Sequence, residues 1–422
     1  MTKLADLIDE ISMGPFGSDI KVDNFVSFGV PVLNGSNIPK YKLVEDQFRY
    51  VTEEKAKTFK KAIAKRGDIV ITHRGTLGQI SFIPDDSKFE EYVISQSQFR
   101  VRLKTELVSP TFFVYYFHTN EGQKRLLANK CHVGVPALAQ ATTNFRLITI
   151  PLPKIKIQQK IAAILSSLDA KIELNNRINT ELEAMAKTLY DYWFVQFDFP
   201  NENSKPYKSS GGEMVYSEEL KREIPKAWES GILNDLGQII GGSTPSKAVE
   251  ENFCKNGMAW ITPKDLSNNQ GNKFISRGEY DVSAKGIKEA CLNVMPKGTI
   301  LLSTRAPIGY IAIARNELTT NQGFKSFIPN KEFSSEFIYF VISNSIQTIE
   351  NNASGSTFKE ISSSVLQTIK TLLAEKKIRT LFDAKIQPIF KKQNIIELEN
   401  QQLAELRDWL LPMLMNGQVR VS

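Results

Sequence analysis

The sequence contains few of the residues that build disulfide frameworks or zinc sites. Its 422 residues include three cysteines, Cys131, Cys254 and Cys291, which are far apart and form no C-x-x-C pair. A sparse and odd set of cysteines is typical of a protein in a reducing compartment. The sequence therefore argues against both a disulfide framework and a zinc site.

Long hydrophobic runs are also missing. No apolar stretch reaches the roughly 18 residues that a membrane-spanning helix needs. The segment MTKLADLIDEIS at the start lacks the charged and then apolar pattern of a secretory signal. We therefore expect a cytoplasmic protein with no membrane partner. A hydrophobic content of 41% and a charged content of 23% are those of a folded chain, and the length predicts two or three domains.

Recognisable catalytic motifs are absent as well. The chain has no G-x-x-x-x-G-K-[ST] phosphate loop, no G-x-G-x-x-G and no Asp/Asn-Pro-Pro-aromatic tetrapeptide of the kind that amino-methyltransferases use. Its three histidines, His73, His118 and His132, have neither metal-ligand spacing nor an obvious nucleophile partner. We therefore expect no catalytic residues, no metal site and no nucleotide-driven motor in this chain.

The chain does carry a moderate excess of positive charge, with a formal net charge of +7 and a pI near 9.0. Such an excess permits an anionic partner such as nucleic acid, although many ordinary proteins are as basic. Composition alone therefore leaves the partner open.

Two segments have the heptad spacing of a coiled coil, which predicts two long helices. The predicted seam of the first, within residues 155–194, is Ile161, Leu165, Leu168, Ile172, Asn175, Asn179, Leu182, Ala186 and Leu189. That of the second, within residues 375–414, is Ile378, Phe382, Lys385, Ile389, Lys392, Ile396, Glu399, Leu403, Leu406 and Leu410. At Pro388 we expect a kink or a helix that starts afresh, and Pro412 is expected to end the second helix or to kink its last turn.

The chain also looks like one unit written twice. Both helices contain Asp-Ala-Lys-Ile, and GDIVITHRGTLGQI at 67–80 aligns without a gap with GTILLSTRAPIGYI at 298–311. Outside such islands the two halves differ, which suits one scaffold with two different recognition surfaces. We predict an α/β (α+β) fold with two mixed α/β domains, separated by two long antiparallel coiled-coil helices and related by an approximate twofold axis. The predicted boundaries are 1–152 for the first domain, 153–200 for the central helix, 201–371 for the second domain with a linker at 201–213, and 372–422 for the distal helix.

Polar residues in corresponding loops of the two copies are candidate DNA contacts. The candidates in the first copy are Ser36, Asn37, Lys40, His73, Arg74, Thr76, Gln96 and Gln98. Those in the second copy are Lys264, Asp265, Thr304, Arg305, Asn321, Gln322, Lys325 and Lys359. Amide and carboxylate side chains can read base edges, arginine can bind guanine or phosphate, and lysine can contact phosphates.

Each of these groups also has a structural explanation. Arg74 and Arg305 would recur equally well if both copies needed the same buried salt bridge or turn. The asparagine- and serine-rich segments can be solvated turns. The segment GSTFK at 355–359 either clamps a phosphate or is a plain loop before a helix, and the aromatic run at 191–197 is either a cap of the coiled coil or a docking patch.

Taken in order, several motifs resemble the specificity subunit of type I restriction–modification systems. They are LYDYWFVQFDFP at 189–200, GGEMV at 211–215, IPKAW at 224–228, GGSTPS at 241–246, TNQGF at 320–324 and LLPMLMNGQV at 410–419. The resemblance covers essentially the whole chain. One departure is that the distal helix has three fewer residues between Ile378 and Asp383 than lie between Ile161 and Asp169, so the expected twofold symmetry is imperfect.

The resemblance implies two target-recognition domains, each reading one half of a split site in double-stranded DNA with a gap of fixed length. It implies helices that bind two methyltransferase subunits, which carry S-adenosylmethionine and flip the adenine that they methylate at N6. A motor–nuclease subunit with ATP and Mg would join them, and this chain would bind no cofactor. The residues leave two alternatives, which are a coiled-coil scaffold for proteins and an enzyme with an unrecognised site, such as a nuclease that uses Asp265.

Overall fold

Strands of β-branched and aromatic residues alternate with short helices along most of the chain, as the interrupted apolar runs predict. The computed structural model describes residues 1–15, 19–131, 134–305, 307–355, 359–419 and 421. It divides into unit 1, which comprises Met1–Ile172 and Gln402–Ser422, and unit 2, which comprises Glu173–Gln401. Each of the two long helices therefore contributes to both units.

The described part of unit 1 contains two larger sheets and two two-stranded sheets. Its described strands are β1 (Thr2–Lys3), β2 (Ile8–Met13), β3 (Phe25–Val26), β4 (Val30–Leu33), β5 (Arg49–Val51), β6 (Ile63–Lys65), β7 (Ile69–Thr72), β8 (Ile80–Phe82), β9 (Glu91–Ile94), β10 (Gln98–Leu103), β11 (Lys130–Cys131), β12 (Ala137–Leu138) and β13 (Thr149–Ile150). The two-stranded sheets are β1-β13 and β11-β12. Of the larger sheets, the first has the order β2-β10-β7-β8 and the second has the order β3-β5-β4-β9-β6. In the second sheet β4 and β9 run parallel, so the loops that follow them leave from the same edge.

The helices that lie wholly in unit 1 are short. They are α1 (Leu4–Leu7), α2 (Glu53–Lys57), α3 (Pro110–Phe117), α4 (Asn120–Leu126) and α5 (Ala141–Leu147). The aromatic helix α3 begins after Ser109, whose hydroxyl accepts from Phe112 N at 3.4 Å, with Pro110 at its first position. Its residues from Phe112 to Phe117 are all buried, because the helix is apolar on every face and packs inside the core.

Unit 2 repeats this plan with additions. Its described strands are β14 (Met214–Ser217), β15 (Arg222–Pro225), β16 (Glu229–Ile232), β17 (Gly237–Gly241), β18 (Phe253–Cys254), β19 (Met258–Ile261), β20 (Phe274–Ile275), β21 (Tyr280–Val282), β22 (Ile300–Thr304), β23 (Ile308–Ala314), β24 (Thr319–Thr320), β25 (Lys325–Pro329) and β26 (Lys370–Leu373). Its own helices are α7 (Pro263–Asn268), α8 (Ala284–Glu289), α9 (Ser335–Asn351) and α10 (Ser363–Thr368).

Sheet order and register confirm the internal repeat. The sheets β17-β25-β22-β23-β20 and β18-β21-β19-β24 have the strand orders of unit 1, apart from the edge strands. Ile69 pairs with Val101 in unit 1, and Ile300 pairs with Phe327 in unit 2. The strand at 69–72 is therefore equivalent to the strand at 300–304, as the gap-free alignment of the two segments predicts.

The two long helices form as predicted, with one difference. The first, which we label α6, spans Ile155–Tyr190 and continues as a π-helix over Asp191–Val195, whereas α11 spans Lys376–Met415. Of the two expectations at Pro388, a fresh start is wrong because α11 is continuous there, and a kink stays a prediction. Pro388 is exposed, so the carbonyl that loses its N–H partner faces water. Pro412 lies in the last turn of α11.

Within each unit the helix segments are antiparallel. In unit 1 Leu165, near the start of α6, shares a core with Leu411, near the end of α11. In unit 2 Asn175 Nδ2 donates to Asn400 Oδ1 at 2.9 Å, and Gln393 Nε2 donates to Glu183 Oε2 at 3.0 Å. Residue numbers thus rise along α6 while they fall along α11. These contacts confirm the predicted direction of the pair inside each unit.

The predicted seam of α11 is wrong by one residue at three positions. Lys385, Lys392 and Leu406 are exposed. Their neighbours Ile386, Gln393 and Arg407 face inward instead. After Phe382 the next seam residue is four positions on, at Ile386, and the following one is three positions on, at Ile389. This spacing buries Ile386 and leaves Lys385 in solvent.

Ionic contacts attach each domain to the helices of its own unit. In unit 1 Tyr115 Oη donates to Asp169 Oδ2 at 2.5 Å, and Arg407 Nη1 lies 2.6 Å from Asp169 Oδ1. Burial, and then this hydrogen bond, raise the pKa of Tyr115. In unit 2 Lys273 Nζ lies 2.5 Å from Glu183 Oε2 on α6. The two units therefore use different side chains for the same purpose.

The aromatic run after α6 is a cap. Trp193, Phe194 and Phe197 are buried in the core of unit 2, and the ring of Phe194 meets that of Phe382 at 4.9 Å. The predicted linker at 201–213 contains neither helix nor strand, but it is packed, because Tyr207 stacks on Phe199 with ring centroids 4.6 Å apart. The predicted boundaries at 152, 200 and 371 remain predictions.

Candidate nucleic-acid interface

In unit 1 the turn that follows β7 meets the turn between β9 and β10. β10 pairs with β7 so that Gln98 lies opposite Thr72. Just beyond this pair, His73 N donates to Ser97 O at 2.8 Å, and His73 Nε2 donates to Gln96 O at 3.1 Å. Burial lowers the pKa of His73, so its imidazole is neutral at pH 7 and orients the turn without adding charge.

Two further loops border this turn. Gly75 N donates to Pro136 O at 2.9 Å, which places the loop before β12 beside Arg74. Gln79 Nε2 donates to Gly35 O at 2.9 Å and so attaches the 3-10 turn that follows β4. We define the loop edge of unit 1 as residues 34–37, 73–76, 95–98 and 134–137.

Unit 2 brings the equivalent segments together. Thr304 N donates to Gly323 O at 2.8 Å, and Arg305 forms a strand bridge with Glu360. The GGSTPS loop joins them, because the hydroxyl of Thr244 donates to Oε1 of Gln322. We define the loop edge of unit 2 as residues 241–246, 262–265, 304–305, 320–324 and 359–361.

Most of the predicted DNA contacts have accessible side chains. In unit 1 the exposed candidates are Ser36, Lys40, Arg74, Thr76 and Gln96, and His73 is half-buried. In unit 2 the exposed candidates are Lys264, Arg305, Gln322 and Lys359, and Asn321 and Lys325 are half-buried. Lys264 also forms an ion pair with Glu279 at 2.7 Å, so its charge is partly compensated.

Arg74 and Arg305 occupy equivalent positions at the ends of β7 and β22. A shared buried salt bridge does not explain their recurrence, because both side chains are exposed. Arg74 makes no side-chain hydrogen bond or ion pair with the residues that the structure describes, and Arg305 Nε lies 3.9 Å from Glu360 Oε2 with about half of its side chain exposed. The backbone turn does recur in both units, but its hydrogen bonds use main-chain atoms and do not require arginine.

Four predicted contacts are structural, and we correct them here. Asn37 and Asp265 are buried and accept from the backbone N–H groups of Asn34 and Thr262, so each closes the turn after an equivalent strand. Asn37 Nδ2 also donates to Asp46 O at 2.8 Å. Short polar side chains are efficient at satisfying turn backbone, and the sequence pattern cannot separate that use from base reading.

Gln98 and Thr304 are the other two. Gln98 is fully buried, and its Oε1 accepts from Ser95 N at 3.0 Å. Thr304 is fully buried as well, and its hydroxyl donates to Gly323 O at 3.3 Å. Both residues belong to strands, Gln98 as the first residue of β10 and Thr304 as the last residue of β22, and their side chains face the core.

The proposed phosphate clamp at 355–359 is described in part. Residues 356–358 lie outside the described residues, whereas Lys359 is exposed. Ser354 and Glu360 exchange backbone hydrogen bonds at 3.0 and 2.9 Å. Lys359 directly precedes Glu360 of this antiparallel pair.

Sequence reasoning missed a cavity beside the loop edge of unit 1. It has a volume of about 370 Å³, and its lining combines apolar residues with Asn34, Ser95, Gln96 and Arg49. Its signal in the sequence is a second gap-free match between the copies, NFVSFGVPVLN at 24–34 and NFCKNGMAWIT at 252–262. In that match Phe25 aligns with Phe253, and both segments end at residues of the loop edges.

Within the described part of the chain, no group of three or more histidine, cysteine, aspartate or glutamate side chains could hold a metal ion. None of the described helices combines the length and the apolar character that are needed to cross a membrane.

The fold and its edges define a class of protein. It is a tandem repeat of mixed α/β units, each packed on antiparallel helix segments, and each presents basic and amide side chains on clustered loops. A family model described as "Type I restriction modification DNA specificity domain" matches residues 23–184 and 225–408. The chain therefore belongs to the type I restriction–modification DNA specificity family and contains two copies of its domain.

Individual relatives agree with this assignment. The chain is 28% identical over 414 residues to the type I restriction enzyme HindI specificity subunit of Haemophilus influenzae, with coverage of 85% of this chain and 88% of the relative. It is 41% identical over 198 residues to the MjaIX specificity subunit of Methanocaldococcus jannaschii, and this match spans 45% of each chain. A solved specificity subunit from M. genitalium has the same fold, with a TM-score of 0.61, 15% identity and coverage of 98% and 95% of the two chains.

Proposed function

We propose that this chain is the DNA-specificity subunit of a type I restriction–modification complex and that each unit reads one half of a bipartite site. The observation that carries the proposal is the pair of equivalent loop edges with different polar side chains. Gln96 stands in unit 1 where Gln322 stands in unit 2, but Ser36 of unit 1 is replaced in unit 2 by Lys264 and its ion pair. Shared positions with unlike side chains suit two half-sites of different sequence.

The DNA contacts of the proposal are the exposed candidates. Arg74 and Arg305 recur in both units, and phosphates are the part of DNA that both half-sites share. They are therefore assigned to the backbone, whereas Gln96, Gln322 and Asn321 are assigned to base edges. A positively charged edge also predicts binding that weakens steeply with salt.

The partners of the proposal are two methyltransferase subunits and motor–nuclease subunits. The outer faces of the long helices support docking, because Met185 on α6 and Ile395 and Trp409 on α11 are each half-exposed or more. In this proposal S-adenosylmethionine, ATP and Mg are bound by those partners, and this chain contributes sequence choice without chemistry of its own, in the cytoplasm.

The two alternatives have less support. A nuclease that uses Asp265 conflicts with the buried position of this carboxylate, which accepts from Thr262 N at 2.8 Å and from Glu279 N at 2.8 Å. A scaffold that binds proteins alone does not account for basic and amide side chains on both loop edges.

The test is genome-wide mapping of N6-methyladenine in the host with and without this gene. We expect one bipartite methylated motif to disappear on deletion and to return when the gene is restored. An unchanged set of motifs in cells that express the methyltransferase partner would contradict the proposal. Binding of the purified chain to duplex DNA that does not change with salt would instead favour the protein scaffold.

A further inference from the structure

A cation rests on an aromatic ring at the mouth of the cavity in unit 1. The guanidinium carbon of Arg49 lies 5.3 Å from the centroid of the Phe25 ring. Both residues line the cavity together with Asn34 and Gln96, and Arg49 is the charged residue among those that line it. The cavity is therefore positively charged and opens beside candidate base-reading residues.

Unit 2 has a cation–ring pair at the same sheet edge, built from other positions. Lys247 Nζ lies 5.0 Å from the centroid of the Tyr280 ring. Tyr280 is the first residue of β21 and pairs with Trp260, whereas Arg49 is the first residue of β5 and pairs with Val32. Trp260 and Val32 are equivalent in the match of 24–34 with 252–262, so Tyr280 stands where unit 1 has Arg49. The ring of Tyr280 meets that of Phe253, the counterpart of Phe25, at 6.0 Å.

We propose that these two pairs, Arg49 on Phe25 and Lys247 on Tyr280, are phosphate contacts that position each unit on duplex DNA. The proposal rests on the proposed function and adds two residues that it does not use. Each cation would bind one phosphate of the half-site that its own unit reads.

The repetition supports a phosphate ligand. The two pairs lie at the same sheet edge, but Tyr280 takes the place of Arg49 and the cation comes from Lys247, so an inherited side chain does not explain a cation over a ring in both units. The two half-sites differ in their bases and share their sugar–phosphate backbone. A feature that both units keep while their reading residues differ therefore fits the shared part of the ligand.

The electrostatics agree with this ligand in unit 1. Arg49 is exposed and makes no ion pair with the described residues, and no carboxylate lines the cavity. In unit 2 Lys247 acts on Glu279 and helps to lower the pKa of that carboxyl, although the ion pair with Lys264 is the larger cause. The positive charge of Lys247 is thus partly compensated by Glu279. We therefore expect Lys247 to make the weaker phosphate contact of the two.

The rings give the cations their direction. A guanidinium or ammonium group over an aromatic face loses part of its conformational freedom before DNA arrives. Less entropy is then lost on binding, so an ordered cation contributes more affinity than a freely moving one. The rings also keep both cations at the edge of the sheet next to the loops that read bases.

The experiment measures binding of the full chain, alone and with its methyltransferase partner, to a duplex with the mapped motif and to a scrambled duplex over a range of salt. For Arg49→Ala and Lys247→Ala we expect equal weakening on both duplexes and a slope of log affinity against log salt that is smaller by about 1 for each. When salt is raised from about 50 to about 200 mM, the fold-loss of affinity of each variant should be about three times smaller than that of the wild type.

Three further variants act as controls. Arg49→Lys and Phe25→Leu keep the charge, so the salt slope should remain while affinity falls. Lys55 rests on Phe59 at 5.2 Å in α2, outside the lining of the cavity. Lys55→Ala should therefore leave both affinity and slope unchanged.

The outcomes separate this inference from the proposed function. A loss for Arg49→Ala that is confined to the mapped motif would make Arg49 a base reader and overturn the phosphate assignment. Unchanged binding for both Arg49→Ala and Lys247→Ala would overturn the inference, as would an equal loss for Lys55→Ala. In either case, weaker binding of Arg74→Ala would still support the proposed function. Wild-type binding that does not depend on salt would contradict the proposed function itself.

Discussion

Exposed arginines at the ends of equivalent strands are the residues on which the proposed interface most depends. Arg74→Ala and Arg305→Ala should each weaken binding to the mapped duplex by about 1–3 kcal/mol. The melting temperature should not change, because both side chains are exposed and the turns are held by backbone hydrogen bonds. Titration of duplex DNA and thermal unfolding measure the two effects. A lower melting temperature with normal binding would return these residues to a structural role.

Asn37 and Asp265 should behave in the opposite way. Each carries the hydrogen bond that closes the turn after its strand, so Asn37→Ala and Asp265→Ala should reduce the free energy of unfolding by about 1–2 kcal/mol. Ser36→Ala is the matched control, because Ser36 is exposed in the same turn. Denaturant titration checks this. Full stability of Asn37→Ala with a loss of one half-site would show that Asn37 reads DNA.

His118 predicts a pH dependence of stability in unit 1. Burial lowers the pKa of His118 below its usual 6.5, and Nε2 donates to Ile80 O at 3.0 Å. The unfolded chain therefore binds more protons at this site below pH 6.5, so the stability that it contributes above that pH is lost as pH falls through the lowered pKa. His118→Gln should flatten the fall in melting temperature below pH 6.5. A fall as steep as that of the wild type would assign the pH dependence to other groups.

At the residue scale the sequence located the loops better than it located the contacts. Arg74, Arg305, Gln96 and Gln322 are exposed on the loop edges, as the pattern of polar residues after strands indicates. The same pattern included Gln98, which points into the core. One residue along a strand changes the face that a side chain occupies, and a sequence without pairing partners does not specify that register.

At the scale of elements, α11 and the strands of unit 2 are joined by a buried ion pair. Arg315 Nη2 lies 2.6 Å from Glu397 Oε2, and both side chains are largely buried. Glu397 also accepts from the backbone N–H groups of Lys273 and Phe274. Burial raises the pKa of Glu397 despite these partners, so the carboxylate depends on Arg315 for compensation.

Arg315→Met should therefore destabilise unit 2 by about 3–5 kcal/mol, because it leaves a buried carboxylate without its cation. The pKa of Glu397 is already raised, so the deficit should grow as pH rises through that pKa and shrink at lower pH, where the carboxyl is protonated. The double variant Arg315→Met with Glu397→Gln should recover most of the loss. Denaturant unfolding at several pH values measures this, and a double variant no more stable than the single one would argue against a paired role.

Helix periodicity explains why the long helices could be predicted and one seam could not. Heptad spacing places α6 and α11 with their ends near the predicted residues. The middle of the second seam contains polar residues such as Lys392 and Glu399. Heptad spacing alone therefore did not decide whether Lys385 or Ile386 follows Phe382 in the seam. Packing against the core of unit 2 decides it, because Ile386 is fully buried there.

For the whole molecule, the repeat predicts that the two half-sites can be exchanged separately. Replacing residues 1–152 with the matching segment of a relative of different specificity should change one half of the methylated motif and leave the other half intact. Replacing 201–371 is the matched exchange and should change the other half. Methylation mapping reads both results. A change of both halves in either exchange would contradict the assignment of one half-site to each unit.

The sequence by itself determined the repeat, the two long helices and the family, because each rests on periodicity or on residue order along the chain. It also determined which loops carry polar side chains. Tertiary structure decided which of those side chains are free, since the burial of Asn37, Gln98, Asp265 and Thr304 depends on strand pairing between distant segments. It also decided that Arg49 and Phe25 meet at one cavity, because 24 positions of sequence separate two residues that neighbour each other across paired strands.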